Sequence, residues 1–277
     1  MPARPELPGA RALARLYSTA AERPVLEALC GIEREIRTSL KPGLDHQVAH
    51  TRLAWWREEC ARCARGEAMH PLTRELTRRF APGFKALAGL TGFVDTAAWD
   101  LAAATFETRR ELSAYCERWS AALVELLALH AAPGVPRARV RALGRSLREL
   151  DLLLALADDA RAGRLRLPLD ELARARAAPE SLALAPWPAD LVELVRARHR
   201  ELRCALAAGV AGLAPDGQAP LRGLLVWAAI AARTSERAQR HLPRVLPARH
   251  YHAPLDGWRA WRAARRADAG RLRLRTA

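Results

Sequence analysis

Lysine is nearly missing from this chain. Of the 45 Lys and Arg residues in 277, only Lys41 and Lys85 are lysine, and the composition otherwise leans on Arg, Ala and Leu, a pattern that GC-rich coding produces. The formal charge of +15 and a pI near 11 favour a polyanionic partner in general. The arginines, however, are spread through helices beside Glu and Asp rather than gathered in one arm. That dispersion argues against nucleic acid and leaves an anionic membrane surface as the polyanion to consider. Long apolar runs are also lacking. No stretch approaches the ~20 residues that span a bilayer, and the first residues, MPARPELPGARALARLY, have no apolar signal core. The expectation is a cytoplasmic protein that can sit peripherally at the inner face of the membrane.

Cysteine is sparse and unpatterned. The residues at 30, 60, 63, 116 and 204 suit reduced intracellular thiols better than a disulfide framework. Cys60 and Cys63 form a C-x-x-C with no second pair and no histidine at zinc-finger spacing, so neither zinc nor redox chemistry is indicated. His46, His50, His70 and His130 share no pattern, and His250-x-His252 is a weak metal signal. There is no glycine-rich phosphate loop, no G-x-S-x-G elbow and no H-E-x-x-H. Alternating β-branched runs are scarce, and no repeat of fixed period argues for a solenoid.

Apolar residues at three- and four-residue spacing fill the chain. They predict helices near 8–19, 23–39, 45–66, 71–79, 81–90, 94–103, 108–130, 137–162, 168–176, 187–208, 219–241 and 254–268, with Pro or Gly in most gaps. Half of the residues are hydrophobic, with no compositional break. The reading is therefore all-α: a single irregular helical bundle over 1–268, followed by a basic tail at 269–277 expected to fray. In the last helix Leu255, Trp258 and Trp261 are expected to lay an apolar stripe on the bundle. A membrane-surface anchor is the competing role for that stripe. Trp55 and Trp56 are expected to pack between helices.

The segment from Leu147 to Pro168, LRELDLLLALADDARAGRLRLP, holds most of the chemical information. A helix through Asp151 reaches the pair Asp158 and Asp159 and stops at Gly163, where a left-handed cap costs no side-chain clash. Pro168 fixes the exit. Asp151 and Asp158 or Asp159 lie two turns apart along nearly one face, so they can hold a metal together or form a solvated acidic face paired with Arg148, Arg161 or Arg164. Glu33 and Arg37 have the i,i+4 spacing of an exposed helical ion pair.

Four blocks in order resemble the squalene/phytoene synthase family and cover most of residues 10–265. They are ALCGIEREIR at 28–37, RLAWWREEC at 52–60, VDTAAWDLAAATFETRRELSAYCERWSAAL at 94–123, and DDARAGRLRLP at 158–168. The resemblance implies an all-helical bundle around a central cavity, the isoprenoid synthase fold. In active members, two aspartate-rich clusters hold Mg2+ ions that bind a farnesyl or geranylgeranyl diphosphate for head-to-head coupling. Hard magnesium ions need oxygen ligands facing one another across the cavity.

Matched residue by residue, Arg37 and Lys41 stand where the first motif carries its two aspartates, with Glu33 and Glu35 nearby. In the second motif, Ala155 replaces the first aspartate and Asp159 keeps the second. Asp151 takes an asparagine position, and Arg166 stands where tyrosine is usual. The resemblance therefore extends to the family's degenerate branch, exemplified by mitochondrial complex I assembly factors. It implies a protein without ordinary synthase activity, binding an isoprenoid or lipid or acting with a protein partner. The alternative it implies is a divergent prenyltransferase using Asp159, Asp158, Asp151, Glu35 and Glu33 for Mg2+. The cofactor is thus Mg2+ if the chain is active and none otherwise, and no catalytic residue is assigned. Arg37, Lys41, Arg52 and Arg57 are the candidate grip on a diphosphate or phospholipid head group. A third reading, a basic interaction module, predicts salt-sensitive polyanion binding indifferent to prenyl diphosphates.

Overall fold

A computed structural model describes residues 9–40 and 43–275. The described residues contain no strand, and the helices follow one another with short connections. The first half comprises α1 (Ala10–Tyr17), α2 (Glu22–Arg37), α3 (His46–Arg65), α4 (Pro71–Phe80), α5 (Thr91–Leu101), α6 (Arg109–Ser120) and α7 (Leu126–Ala131). The second comprises α8 (Arg137–Leu154), α9 (Leu156–Arg161), α10 (Leu169–Arg174), α11 (Ala189–Ala211), α12 (Pro215–Gln218), α13 (Arg222–His241) and α14 (Asp256–Asp268).

Local chemistry sets many of the ends. Asp45 accepts from the backbone N–H groups of Gln47 and Val48 to start α3, and Gly66 at φ +83° ends it. The buried Glu22 carboxylate accepts from the N–H groups of Gly223 and Leu224, each at 2.9 Å, and so caps α13 from far away in sequence. Helix α13 runs through the middle of the bundle, burying Leu224, Leu225, Val226, Trp227 and Ile230. It packs against α1, α8, α11 and α14. Trp227 meets Trp119 edge-on at 5.9 Å between ring centres. No helix among the described residues is long and apolar enough to cross a membrane.

Four expectations change. The 108–130 helix is not continuous α: Ala121–Glu125 is π-wound between α6 and α7. There α8 comes so close that a Cβ built on Gly144 would lie 2.1 Å from Ser120 Oγ. The 81–90 segment is a 3-10 helix, Phe84–Leu90. The tail does not fray at Ala269, because Leu272 is buried and its N–H and C=O both bond the Gln218 side-chain amide, at 2.9 and 3.5 Å. Finally, α14 packs through Ala260, Ala263, Ala264 and Ala267, while Leu255, Trp258 and Trp261 face outward at 59%, 52% and 49% exposure. Small alanines let α14 lie close on α13, and this turns the large apolar residues away.

Candidate ligand cavity

The predicted 137–162 helix breaks at Ala155, where φ −93° and ψ 4° separate α8 from α9. The bonds Ala155 N–H to Asp151 O (3.1 Å) and Asp159 N–H to Ala155 O (2.8 Å) carry the four-residue register across the break. Asp151, Ala155 and Asp159 therefore stay on one side and line a cavity of about 460 Å³. Gly163, at φ +75°, turns the chain back as its residue type predicts. The return brings Arg164 and Arg166 over Asp159.

Five arginines line this cavity: Arg11 from α1, Arg37 from α2, Arg148 from α8, and Arg164 and Arg166 from the returning loop. They face three carboxylates, and each carboxylate is already engaged. Asp151 takes Arg11 at 3.0 Å. Asp159 takes Arg164 at 2.8 Å and Arg166 at 3.3 Å. Asp100 takes Arg166 at 2.7 Å and the Tyr115 hydroxyl at 3.1 Å. Arg148 donates to the Tyr115 oxygen at 2.9 Å, so the network runs unbroken into the core. There Glu33 accepts from Arg11 at 2.5 Å and from the Trp119 indole N–H at 2.8 Å, with Arg148 at 4.0 Å. Leu40, Leu44, Leu101 and Leu152 supply apolar wall.

The electrostatics follow the pairing. Burial by itself raises the Glu33 carboxyl, but Arg11, Arg148 and the Trp119 N–H outweigh it and hold it below the usual carboxylate range. Burial lowers the Arg11 and Arg148 guanidiniums. The facing carboxylates outweigh burial at Arg11, and Tyr115 and Glu33 do so at Arg148, so both lie above the usual range. Glu33, Arg11 and Arg148 are therefore charged at neutral pH, whereas burial raises the Tyr115 phenol and keeps it neutral. Arg37 differs from its neighbours, being exposed at the rim with no carboxylate within ion-pair distance among the described residues.

The expected site residues divide. Asp151 and Asp159 come together in the cavity with Arg37. Asp158 faces solvent and pairs with Arg161 at 2.7 Å, since one residue of helix turns it about 100° from Asp159. Glu33 and Glu35, two apart, lie on opposite sides of α2. Glu33 points into the core, whereas Glu35 is exposed in a second depression with Arg52, Trp55 and His70. Glu33 therefore pairs with Arg11 rather than Arg37. Arg52 lines that second depression and Arg57 pairs with Asp95 at 3.1 Å, so Arg37, Arg52 and Arg57 do not line one cavity. Lys41 lies outside the described residues.

The donor set does not fit a magnesium ion as arranged. The three cavity carboxylates are all committed to guanidinium groups, and no three His, Cys, Asp or Glu among the described residues gather where a metal could sit.

Several participants were not legible as site residues. Arg11 gives no local signal, because its partners lie 22 and 140 positions away. Asp100 and Tyr115 stand at the D-L and Y-C positions for which the 94–123 block resembles the family, but the resemblance gave neither a role in the site. Glu59, inside RLAWWREEC, is fully buried and receives the N–H groups of Met69 and His70, both at 2.8 Å, together with Thr73 and Arg62. It fixes the turn into α4. Trp56 is buried beside it as expected, but Trp55 is 44% exposed. Burial pushes the Cys60 thiol up to about 12 and raises Cys63 as well, leaving both unreactive.

The all-helical bundle is a fold shared with solved structures. A dehydrosqualene synthase crystal structure superposes with a TM-score of 0.75 at 15% identity, covering 93% of this chain and 90% of the other. A squalene synthase, HpnC, from Alicyclobacillus acidocaldarius superposes at 0.66 and 17% identity, covering 83% and 87%. These likenesses establish the fold. The sequence itself matches the squalene/phytoene synthase family profile over residues 10–259, and the chain belongs to that family. None of the curated proteins matches it by sequence.

Proposed function

We propose that this protein binds an anionic isoprenoid, a prenyl diphosphate or a lipid of similar build, directly through arginine, and does not carry out ordinary head-to-head coupling. The observation supporting this is the cavity's charge: five guanidiniums against three carboxylates that are already neutralised, with Arg37 at the rim having no carboxylate partner among the described residues. Guanidinium forks match phosphate oxygens in geometry and need no bridging cation. The leucines around them accept the first part of a hydrocarbon chain, and about 460 Å³ lies in the range of small-molecule sites. Leaving-group ionisation is the step this arrangement does not support, because it calls for metal ions held between free carboxylates. The degenerate branch resembled at ALCGIEREIR acts in assembly, so a protein partner belongs to the same reading.

The test uses purified protein with farnesyl or geranylgeranyl diphosphate at comparable concentration, in EDTA and in magnesium, with and without NADPH. The expected result is thermal stabilisation that persists in EDTA, is lost in Arg37→Gln, and is accompanied by no diphosphate release. Magnesium-dependent release abolished by Asp159→Ala would overturn the proposal in favour of a divergent prenyltransferase, for which the placement of Asp151 and Asp159 on one cavity wall is the supporting observation.

A further inference from the structure

A second concavity, of about 630 Å³, lies between α13, α14, the edge of α11 and the segment 272–275, and shares no lining residue with the first. Among the described residues, seven arginines line it against a single carboxylate, Glu236. Glu236 is already bound to Arg233 at 2.7 Å and Arg240 at 3.3 Å. Arg259 is held by Asp256 at 3.1 Å. Arg203, Arg262, Arg266, Arg273 and Arg275 have no carboxylate partner among the described residues.

Arg203 is the telling member. It is only 4% exposed, yet its hydrogen bonds go to neutral groups, the Gln239 side-chain oxygen at 2.6 Å and Ser235 Oγ at 3.3 Å, its Nε has no partner among the described residues, and Glu236 attracts it only from beyond ion-pair distance. Burial holds this guanidinium below its usual range. A buried charge with no carboxylate in contact is costly, and Glu236 at a distance does not offset the burial, so an anion entering the groove would relieve that cost.

The groove borders the outward face of α14. Around that face stand Trp258, Trp261 and the arginines 259, 262, 265 and 266, with Leu255 at its start. Arg262 lies over the Trp258 ring at 4.6 Å. Of the helix's two acids, Asp256 is buried, and the exposed Asp268, two turns on from Trp261, is paired with Arg222 at 3.0 Å. An apolar ridge of indoles and leucine running beside an arginine groove matches the layering of a bilayer surface, where phosphates lie just above the acyl boundary and tryptophan concentrates. Leu255 has no ring to stack on a base, so the ridge fits a lipid surface better than a nucleic acid.

We propose that α14 and the adjoining arginine groove dock this protein on an anionic phospholipid surface, with lipid phosphates in the groove and Trp258, Trp261 and Leu255 set among the head groups. Docking here is independent of what the other cavity holds.

The full chain is floated with vesicles of phosphatidylglycerol and phosphatidylcholine mixed, and with phosphatidylcholine alone, at fixed salt. Partition is expected to be about tenfold or more stronger on the anionic vesicles, and to fall by about that factor in Arg262→Gln/Arg266→Gln and in Trp258→Ala/Trp261→Ala. The charge-matched Arg110→Gln/Arg137→Gln variant should keep its binding. For the unaltered protein, brominated acyl chains should quench tryptophan fluorescence, a readout that needs no variant to fold. Equal binding to both vesicles, an equal loss in the charge-matched variant, or absence of quenching overturns the proposal. So does tighter capture by an oligonucleotide at equal phosphate concentration that the same groove variants abolish, since that would assign the groove to nucleic acid.

Discussion

Arg11→Met should cost this protein about 3 kcal/mol at neutral pH. Arg11 is the chief counter-ion of Glu33, whose side chain is only 6% exposed, and it also holds Asp151 and lies over the Trp119 and Trp227 rings at 5.2 and 4.8 Å. Removing one partner of a buried pair costs about 3–5 kcal/mol. The lower end applies because Arg11 is about one-third exposed and Arg148 remains 4.0 Å from Glu33. For a chain of this size that corresponds to a fall in Tm of roughly 6–12 °C. Glu33→Gln should cost less, about 1–2 kcal/mol, because Gln still accepts from Trp119 and Arg11 keeps Asp151. In the double variant the core holds no unpaired carboxylate, and only the partly exposed Asp151 has lost its partner, so its cost should fall short of the sum by about 2 kcal/mol.

The pH dependence gives a second, independent reading. Glu33 is held below the usual carboxylate range, so in the wild type its contribution is present at neutral pH and is lost as pH falls through that lowered value. Without Arg11, burial dominates and the carboxyl shifts upward. The penalty of Arg11→Met should therefore shrink on acidification, because a protonated Glu33 needs no counter-ion. Urea denaturation of the four proteins at about pH 7 and about pH 4.5 measures both effects. Strict additivity, or a penalty equal at the two pH values, would refute the reasoning.

His199 is buried against Ser235 and Arg203, and desolvation, with Arg203 adding to it, lowers its pKa to about 3. The unfolded chain binds this proton at about 6.5 and the folded protein does not, so stability should fall between those values by up to about 1.4 kcal/mol per pH unit. His199→Gln should flatten that slope in urea titrations, and an unchanged slope counts against the assignment. Gly144→Ala should destabilise by about 2–3 kcal/mol, since its methyl would meet Ser120 Oγ and Val124 Cβ at 2.1 and 2.8 Å. An unshifted denaturation midpoint would mean that α6 and α8 can part there without cost. Gln218→Ala removes both bonds that hold Leu272, and faster tryptic cleavage at Arg271 and Arg273 is the expected readout. Unchanged cleavage would show that burial of Leu272 alone secures the segment.

Helix positions were largely legible because their signals are local. Gly163 at the turn and Pro168 before α10 act within a few residues, and the structure places both as the sequence predicts, while Asp45 and Gly66 bound α3 close to the predicted 45–66 by equally local means. Family membership was legible for a related reason: blocks such as RLAWWREEC hold their order along the chain whatever they touch.

What each charged side chain faces was decided only by the tertiary structure. Asp158 and Asp159 are neighbours in sequence, yet one meets solvent and the other the cavity, and Glu33 and Glu35 part in the same way. The sequence offered the stripe of Leu255, Trp258 and Trp261 as the packing face of α14 or as a surface anchor, and packing put the alanines in the core and left the tryptophans outside. The cavity's charge depends on Arg11 reaching Asp151 across 140 residues. Caps, turns and helical periods are set by atoms a few bonds apart, so sequence alone determines them. The pairing of a guanidinium with a distant carboxylate depends on how whole helices dock, and no local pattern carries that information.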